Sequence, residues 1–255
     1  MKKMVFGAGC LALGAMCLTA QADETVYVGQ AIGSIDVQCN GCNAIAAVAF
    51  KEISGKDEYV SVSNIVSTEG LDVDDKVGIW WEGGYESWTL KKDAQGVNFW
   101  EKNEKKFSID AYGKLTESSG ADASTVRPPT GSGIWIRHEK GGEFTFHIFG
   151  AYVEPIPTKA LGAIDGIPMK TLMGNPTFDA KAPTITGMTN LDSIQVTTGS
   201  GILTSYTYNE SSGKWSCFKK EGAQVVVQTV DSPEIPAGVG FWYVARGADD
   251  VTFEW

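Results

Sequence analysis

Two seven-residue segments share one pattern, Pro129-Thr-Gly-Ser-Gly-Ile-Trp135 and Pro236-Ala-Gly-Val-Gly-Phe-Trp242. Proline fixes its own φ and glycine reaches positive φ, so each segment predicts a tight turn that leads into a β-strand. A second apolar strand follows each copy in the same register, at Phe144-Thr-Phe146 and at Val251-Thr-Phe253. The pattern therefore indicates a repeated pair of strands, and it carries no chemistry of its own.

The repeat extends beyond this ending. Ala44-Ile-Ala-Ala-Val-Ala-Phe-Lys51 matches Ala163-Ile-Asp-Gly-Ile-Pro-Met-Lys170, and Gly70-Leu71 answers Gly187-Met188 further along. The order of the matches is kept throughout, which favours a duplication with extra loop in the first copy. We therefore expect homologous domains at 23–153 and 154–255.

Superposition of these two domains should place Trp135 on Trp242 and Phe50 on Met169. A hairpin around Gly141-Gly142 would join the first repeated pair of strands. In that hairpin the face that carries Trp135, Phe144, Phe146 and Ile148 is expected to be the buried one.

Period-two alternation bounded by Gly, Asn, Asp and Ser recurs along the chain, whereas helical periodicity is hard to find. Many short strands of this spacing predict an all-β fold of tandem antiparallel sandwich or barrel-like domains. The predicted strands cover residues 26–31, 34–39, 45–52, 59–65, 76–81, 85–91, 97–101, 106–111, 133–138, 143–150, 163–170, 193–198, 203–209, 214–219, 223–230, 240–245 and 250–254.

Residues 1–22 have the features of a secretory signal peptide: two lysines, an apolar run and the ending Ala20-Gln-Ala22. Removing Lys2 and Lys3 leaves 19 basic residues against 31 acidic ones, a net charge of −12. Such a charge argues against nucleic-acid and anionic-membrane partners, which require a basic surface. No later stretch is apolar for long enough to predict a membrane-spanning helix. We expect an exported protein of the periplasm or the cell surface.

The repeated order, an apolar start, a Gly-aromatic middle and a Pro-x-Gly-x-Gly-aromatic-Trp ending, resembles secreted all-β repeat proteins of Gram-negative bacteria. The resemblance covers nearly all of the chain after the leader. It implies export and a β fold, and it implies no activity.

Catalytic motifs are missing from the sequence: there is no Gly-x-Ser-x-Gly, His-Glu-x-x-His, phosphate-binding loop or dinucleotide fingerprint. His138 and His147 are the only histidines. In the predicted hairpin they would be diagonal neighbours on one face, which makes them weak candidates for a shared metal. Two half-buried or surface histidines are the alternative, and no metal or cofactor is predicted.

The acidic run Asp72-Val-Asp-Asp75 invites comparison with a calcium loop. Lys76 occupies the fifth position of that loop, and its Gly and Glu are missing. We therefore interpret the run as a solvated turn before a strand.

Aromatic residues are concentrated in the first copy. Trp80, Tyr85 and Trp88 fall on neighbouring predicted strands, with Glu82 and Glu86 beside them. Flat rings with nearby acceptors can stack on sugars, so these three residues form a candidate carbohydrate platform. Ordinary core packing with one surface Trp is the alternative.

Cys39-Asn-Gly-Cys42 combines two cysteines with a strong turn signal. A turn brings its flanking Cα atoms within disulfide range, and export favours oxidation, so a Cys39–Cys42 bridge is predicted. Cys217 shares a strand face with Trp215 and is expected to be a buried apolar residue.

Three functions follow as hypotheses. The first is a non-enzymatic structural or binding module of the cell envelope or surface, with polysaccharide or other surface proteins as partners. The second is a carbohydrate-binding module that uses Trp80, Tyr85 and Trp88. The third is an enzyme resembling a glycoside hydrolase, for which no pair of acids stands out.

Overall fold

The computed structural model describes residues 32–40, 43–47, 50–51, 66–81, 84–103, 106–109, 111–112, 115–118, 131–152, 157–177, 179–197, 203–221 and 224–255. The predicted leader at 1–22 and the predicted strands at 26–31 and 59–65 lie outside these residues. The described chain is all-β with antiparallel sheets, which confirms the predicted class. No helix within it has the length and apolar character needed to cross a membrane.

The first half of the chain contributes ten strands to the described structure. They are β1 (Ile32–Asn40), β2 (Asn43–Ala47), β3 (Phe50–Lys51), β4 (Lys76–Trp81), β5 (Gly84–Lys92), β6 (Asn98–Lys102), β7 (Lys106–Ile109), β8 (Leu115–Ser118), β9 (Gly133–Arg137) and β10 (Glu143–Tyr152).

The second half contributes nine more strands. They are β11 (Thr158–Ala160), β12 (Met169–Gly174), β13 (Thr184–Thr186), β14 (Ser193–Thr197), β15 (Leu203–Asn209), β16 (Lys214–Glu221), β17 (Gln224–Val230), β18 (Gly240–Ala245) and β19 (Val251–Glu254).

Each half contains one large and one small sheet. The large sheets have the orders β2-β9-β4-β5-β7-β8, with β6 also on β5, and β12-β18-β14-β15-β16-β17. The small sheets are β1-β10-β3 and β11-β19-β13. Within the described residues every ladder stays inside its own half, and one isolated bridge, Ser132 to Met173, joins the halves.

The hydrophobic core of the second half lies between its two sheets. Strands β14, β16 and β18 of the large sheet point alternate residues inward, and Ile194, Trp215 and Tyr243 are at most 1% exposed. Val251 and Phe253 of β19 meet them from the small sheet. Phe241 and Phe253 pack as a tilted aromatic pair with centroids 5.7 Å apart. This is the two-layer packing that period-two alternation favours.

In the first half, the buried face of β9 is the one that Ile134 and Ile136 occupy, both fully buried. Trp135, between them, is half-buried, so the prediction that it lies on the buried face is wrong. Phe144 and Ile148 of β10 are buried as predicted. The prediction assumed that β9 and β10 form one hairpin. In such a hairpin, Trp135 and Phe144 would lie on the same face and would be buried together.

Strands β9 and β10 do not pair. β9 pairs with β2 and β4 in the large sheet, whereas β10 pairs with β1 and β3 in the small one. The segment with positive φ at Gly141 and Gly142 therefore carries the chain from one sheet to the other. Two glycines between alternating segments fit a hairpin turn and a crossing between sheets equally well, so the sequence alone did not distinguish these two structures.

The predicted match of Phe50 with Met169 is also wrong. Phe50 pairs with Tyr152 in the small sheet, whereas Met169 pairs with Ala245 in the large one. The preceding segment is not a strand, because Ile164 and Ile167 close a tight turn with two mutual backbone hydrogen bonds of 3.0 and 2.8 Å. Both isoleucines are largely exposed, which the apolar pattern did not indicate.

The glycines of the first repeated segment lie where the two halves meet. Gly131 has φ +98°, and a Cβ there would lie 2.4 Å from Thr158 Oγ1. A Cβ on Gly133 would lie 2.3 Å from Leu172 Cγ. The Gly174 amide donates to the Gly131 carbonyl at 2.8 Å. These glycines allow β12 to approach the first half more closely than any side chain would permit.

Candidate functional site

A buried aspartate organises the turn that precedes β4. Asp75 is fully buried. Its Oδ2 accepts the Asp72 amide at 2.8 Å and lies 2.8 Å from His138 Nδ1, while its Oδ1 accepts the Glu139 amide at 3.0 Å. The carboxylate therefore ties the acidic run to the end of β9.

The turn that precedes β14 is built in the same way around Asp192, which is also fully buried. Asp192 Oδ2 accepts the Thr189 amide at 2.9 Å and the Tyr243 hydroxyl at 2.7 Å. Its Oδ1 accepts the Arg246 amide at 2.7 Å and the Thr189 hydroxyl at 3.0 Å. Tyr243 thus supplies here the side-chain donor that His138 supplies in the first half.

Backbone geometry repeats at these two turns. Asp74 and Leu191 both have positive φ, 76° and 70°. Each donates its amide to the neighbouring strand, Asp74 to Leu90 at 2.8 Å and Leu191 to Tyr208 at 2.9 Å. Left-handed backbone at non-glycine residues is uncommon, so its recurrence shows that the aspartate networks hold both turns in one conformation.

The interpretation of the acidic run as a solvated turn is wrong for Asp75. The carboxylates of Asp72 and Asp74 are more exposed, and each contacts a lysine. Lys140 Nζ lies 2.8 Å from Asp72 Oδ1, and Lys91 Nζ lies 2.7 Å from Asp74 Oδ1. The hydrogen bond from Lys140 lowers the pKa of Asp72. Sequence reasoning could have found Asp75 from its match with Asp192, because both residues stand directly before a strand in the repeat.

The two histidines belong to different sheets. His138 follows β9, and its side chain is 8% exposed between Asp75 and Asp72, with Nε2 4.0 Å from Asp72 Oδ2. His147 lies on β10, directly opposite Asp36 of β1, with Nδ1 2.7 Å from Asp36 Oδ1. The hairpin that was to make them diagonal neighbours is not formed. Within the described ranges no group of three or more His, Cys, Asp or Glu could hold a metal.

Strand register separates the three residues of the predicted platform. Trp80 is paired with Tyr85, whereas Trp88 is paired with Val77. Since paired positions share a face and successive positions alternate, Trp88 belongs to the face opposite the other two. Trp88 is 7% exposed, on the face of the fully buried Val77 and Ile79. Trp88 is therefore not available to a sugar-stacking surface.

Glu86, predicted as an acceptor beside the platform, lies on the buried face with Trp88. Its side chain is 5% exposed, and Lys102 Nζ lies 2.8 Å from its Oε2. The same ammonium lies 5.8 Å from the centroid of the Trp88 ring. Lys102 thus compensates a buried carboxylate and covers an aromatic face. Glu82 lies outside the described residues.

An exposed apolar surface occupies the outer border of the second large sheet. Phe218 of β16 is 76% exposed and faces Val227 of β17, which is 63% exposed. Val225 and Leu203 lie on the same sheet face and are 68% and 57% exposed. We call these four side chains the apolar patch. Clustered exposure of this kind marks interaction surfaces, whereas scattered apolar residues are ordinary.

The sequence-based predictions did not identify the apolar patch. The alternation in β16 and β17 places Trp215 and Cys217 on one face and Phe218 on the other, but both faces carry large apolar residues. Which face is covered depends on the partner sheet. Trp215 is 1% exposed, in the buried cluster to which β19 of the small sheet contributes Val251 and Phe253.

Cys217 is a free cysteine, 4% exposed among the buried residues of the second half, as predicted. Burial, followed by the contact with Cys217, raises the pKa of the neighbouring Tyr206. The predicted Cys39–Cys42 bridge includes Cys42, which lies outside the described residues, and it stays a prediction. Strands β1 and β2, which precede and follow these residues, belong to different sheets.

A scan against protein-family models and a search of curated proteins each give no match to this chain.

Proposed function

We propose that this chain is an exported, non-enzymatic binding or structural module that acts in the periplasm or at the cell surface through contact with other protein. The observation that carries the proposal is the apolar patch. Its centre, Phe218, is 76% exposed on a regular sheet, next to Val227 at 63%. An acidic secreted protein gains solubility from its charge, and clustered exposed apolar side chains oppose that gain unless a partner covers them.

We further propose that the module arose by duplication. Supporting this, the large sheets share the order β2-β9-β4-β5 and β12-β18-β14-β15, with a further strand on β5 and β15. Trp135 and Trp242 lie on the corresponding strands β9 and β18. The turns at Asp75 and Asp192 have the same hydrogen-bonding pattern.

Within the described residues, the patch lies on a longer border strand than the one that borders the first large sheet. The outermost strand of the second large sheet, β17, has seven residues, whereas β8 at the border of the first large sheet has four and carries Glu117. The two proposed copies share the turns at Asp75 and Asp192 but differ at this border strand. This difference supports the proposal that the second copy makes the contact with the partner protein.

Site-specific photo-crosslinking in cells that carry the gene tests the proposal. A photoreactive residue in place of Phe218 is expected to give a covalent adduct in the envelope or medium fraction, on a chain that begins at Asp23. The control position is Val97, which is 59% exposed on the first half and outside the patch. A chain that keeps its leader, or that gives the same products at both positions, contradicts the proposal.

Carbohydrate binding is the alternative, supported by the cross-strand pair of Trp80 and Tyr85. One such pair of rings would contribute about 0.5–1.5 kcal/mol for each stacked sugar, so binding would be weak. If the first proposed function is correct, soluble glycans will not retard the wild-type chain in affinity electrophoresis, and the Trp80→Ala variant will migrate at the same rate. Retardation that Trp80→Ala removes would favour the carbohydrate alternative instead.

A further inference from the structure

Strand β17 forms an open border of the second large sheet. Among the described strands it pairs only with β16, through a continuous register from Trp215–Val230 to Glu221–Gln224. The unbroken register leaves no β-bulge, and Gln224–Val230 contains neither proline nor charge. Bulges, prolines and charged side chains are devices by which natural proteins protect a sheet edge, and the described strand β17 has none of these three.

The other border of the same sheet is covered. β12 is joined to the first half by the Gly174–Gly131 hydrogen bond and the Ser132–Met173 bridge. The exposed edge of β17 is therefore the side on which the described sheet can grow, because a row of backbone amides and carbonyls there faces outward.

The distribution of charge favours a second copy of this chain as the partner that pairs with the edge of β17. The whole chain carries −10, so two copies repel each other over most of their surfaces. β17 itself is uncharged, which removes this repulsion locally. At one end of β17, the adjacent Lys219, Lys220 and Glu221 sum to +1, and at the other end Lys214, Asp231 and Glu234 sum to −1.

An antiparallel arrangement brings the positive end of each copy to the negative end of the other. We propose that two copies pair β17 to β17, antiparallel and across a two-fold axis, so that their large sheets form one continuous sheet. The two apolar patches then become neighbours. The inference rests on the proposed function and extends it: pairing at β17 joins two apolar patches on one sheet face without covering either, and the contact that covers them is the one proposed above.

This interface is small, since seven residues span about 23 Å of edge. It falls below the roughly 800 Å² per partner of a stable complex, so the dimer is weak and depends on concentration. Sedimentation velocity of the mature chain, from about 1 µM to about 1 mM, should show a monomer that converts to dimer.

Val227→Lys is the decisive variant. It places like charges near the two-fold axis at an exposed position, and the dissociation constant is expected to rise at least about 30-fold. The charge-matched control is Ser205→Lys, exposed on the same sheet face but separated from the edge by β16. Its dissociation constant should stay within about twofold of wild type, and circular dichroism should show all variants folded.

Phe218→Ser separates edge pairing from stacking of two sheet faces. Edge pairing leaves Phe218 one strand away from the contact, so dimerisation should persist. A wild-type chain that stays monomeric overturns the inference, as does dimerisation that Phe218→Ser abolishes and Val227→Lys does not. A monomeric chain that still forms a Phe218 adduct with a different protein keeps the proposed function and refutes only the self-pairing.

Discussion

At the scale of single residues, the second half depends on one carboxylate. Asp192 accepts backbone amides from Thr189 and Arg246 and the hydroxyl of Tyr243, all within 2.9 Å. Asp192→Ala leaves the buried Tyr243 hydroxyl and two partly buried amides unsatisfied, and the free energy of unfolding should fall by about 3 kcal/mol or more. Asp231→Ala, at a side chain that is 91% exposed, should stay within about 0.5 kcal/mol of wild type. Urea unfolding followed by tryptophan fluorescence compares the two, and equal losses would contradict the assigned role of Asp192.

The hydroxyl that Tyr243 donates to Asp192 should make stability depend on alkaline pH. Burial, followed by the charge of Asp192, raises the pKa of Tyr243 above its ordinary 10.0. A raised folded-state pKa gives stability that is complete below the unfolded pKa and is lost as pH rises beyond it. The free energy of unfolding should therefore decline above about pH 10, and less steeply in Tyr243→Phe. Unfolding curves from pH 8 to about 11.5 measure both slopes, and identical slopes would count against the hydrogen bond.

At the scale of strands, the alternation pattern predicted where most strands lie along the chain, but not which strands pair with each other. It predicted β4 and β18 with their observed bounds and β15 likewise. It missed β11 and β13, which have three residues each, because alternation over three positions is too short to recognise. It also gave a hairpin where the chain changes sheets, since turn glycines fit a hairpin and a crossing equally well.

Faces were harder to predict than strands. Trp135 lies between two fully buried isoleucines, so both faces of β9 carry large apolar residues. The side that a second layer covers is fixed by long-range packing, which a single strand does not encode. The same reason explains why Trp88, predicted on an exposed platform, is buried, and why the exposure of Phe218 was not predicted.

The contact between β9 and β12 gives a prediction at this scale. Gly133→Ala introduces a Cβ that would lie 2.3 Å from Leu172 Cγ and 3.0 Å from the Met173 carbonyl oxygen. Overpacking of this kind costs about 1–3 kcal/mol. Leu172→Ala alone removes a fully buried side chain and should cost about 2–5 kcal/mol, yet the double variant should lose less than the sum. Additive losses in thermal unfolding would mean that the two residues do not meet.

At the scale of the whole molecule, the described ladders form separate sheets in each half of the chain, and strands β12 and β18 of the second half contact β2 and β9 of the first. The buried cluster of the second half draws only on residues between Ala160 and Phe253. Its outer face, in contrast, buries Leu172 against Gly133 of the first half. Because the second half has a core of its own, we expect it to fold alone. Its stability should be lower than in the whole chain, because the face that buries Leu172 against the first half would be exposed.

The separated second half, residues 154–255, should therefore unfold cooperatively. Losing the first half exposes Leu172 and Val244, which are at most 2% exposed in the whole chain. Each would contribute roughly 1.5–3 kcal/mol when buried, so the fragment should melt at a lower temperature than the whole chain. Circular dichroism melts and dispersed amide NMR signals test this, with Asp192→Ala in the fragment as a variant that should abolish the transition. A fragment without a cooperative transition would show that the folding unit is the whole chain, because then the core between the two sheets does not suffice without the Leu172 contact.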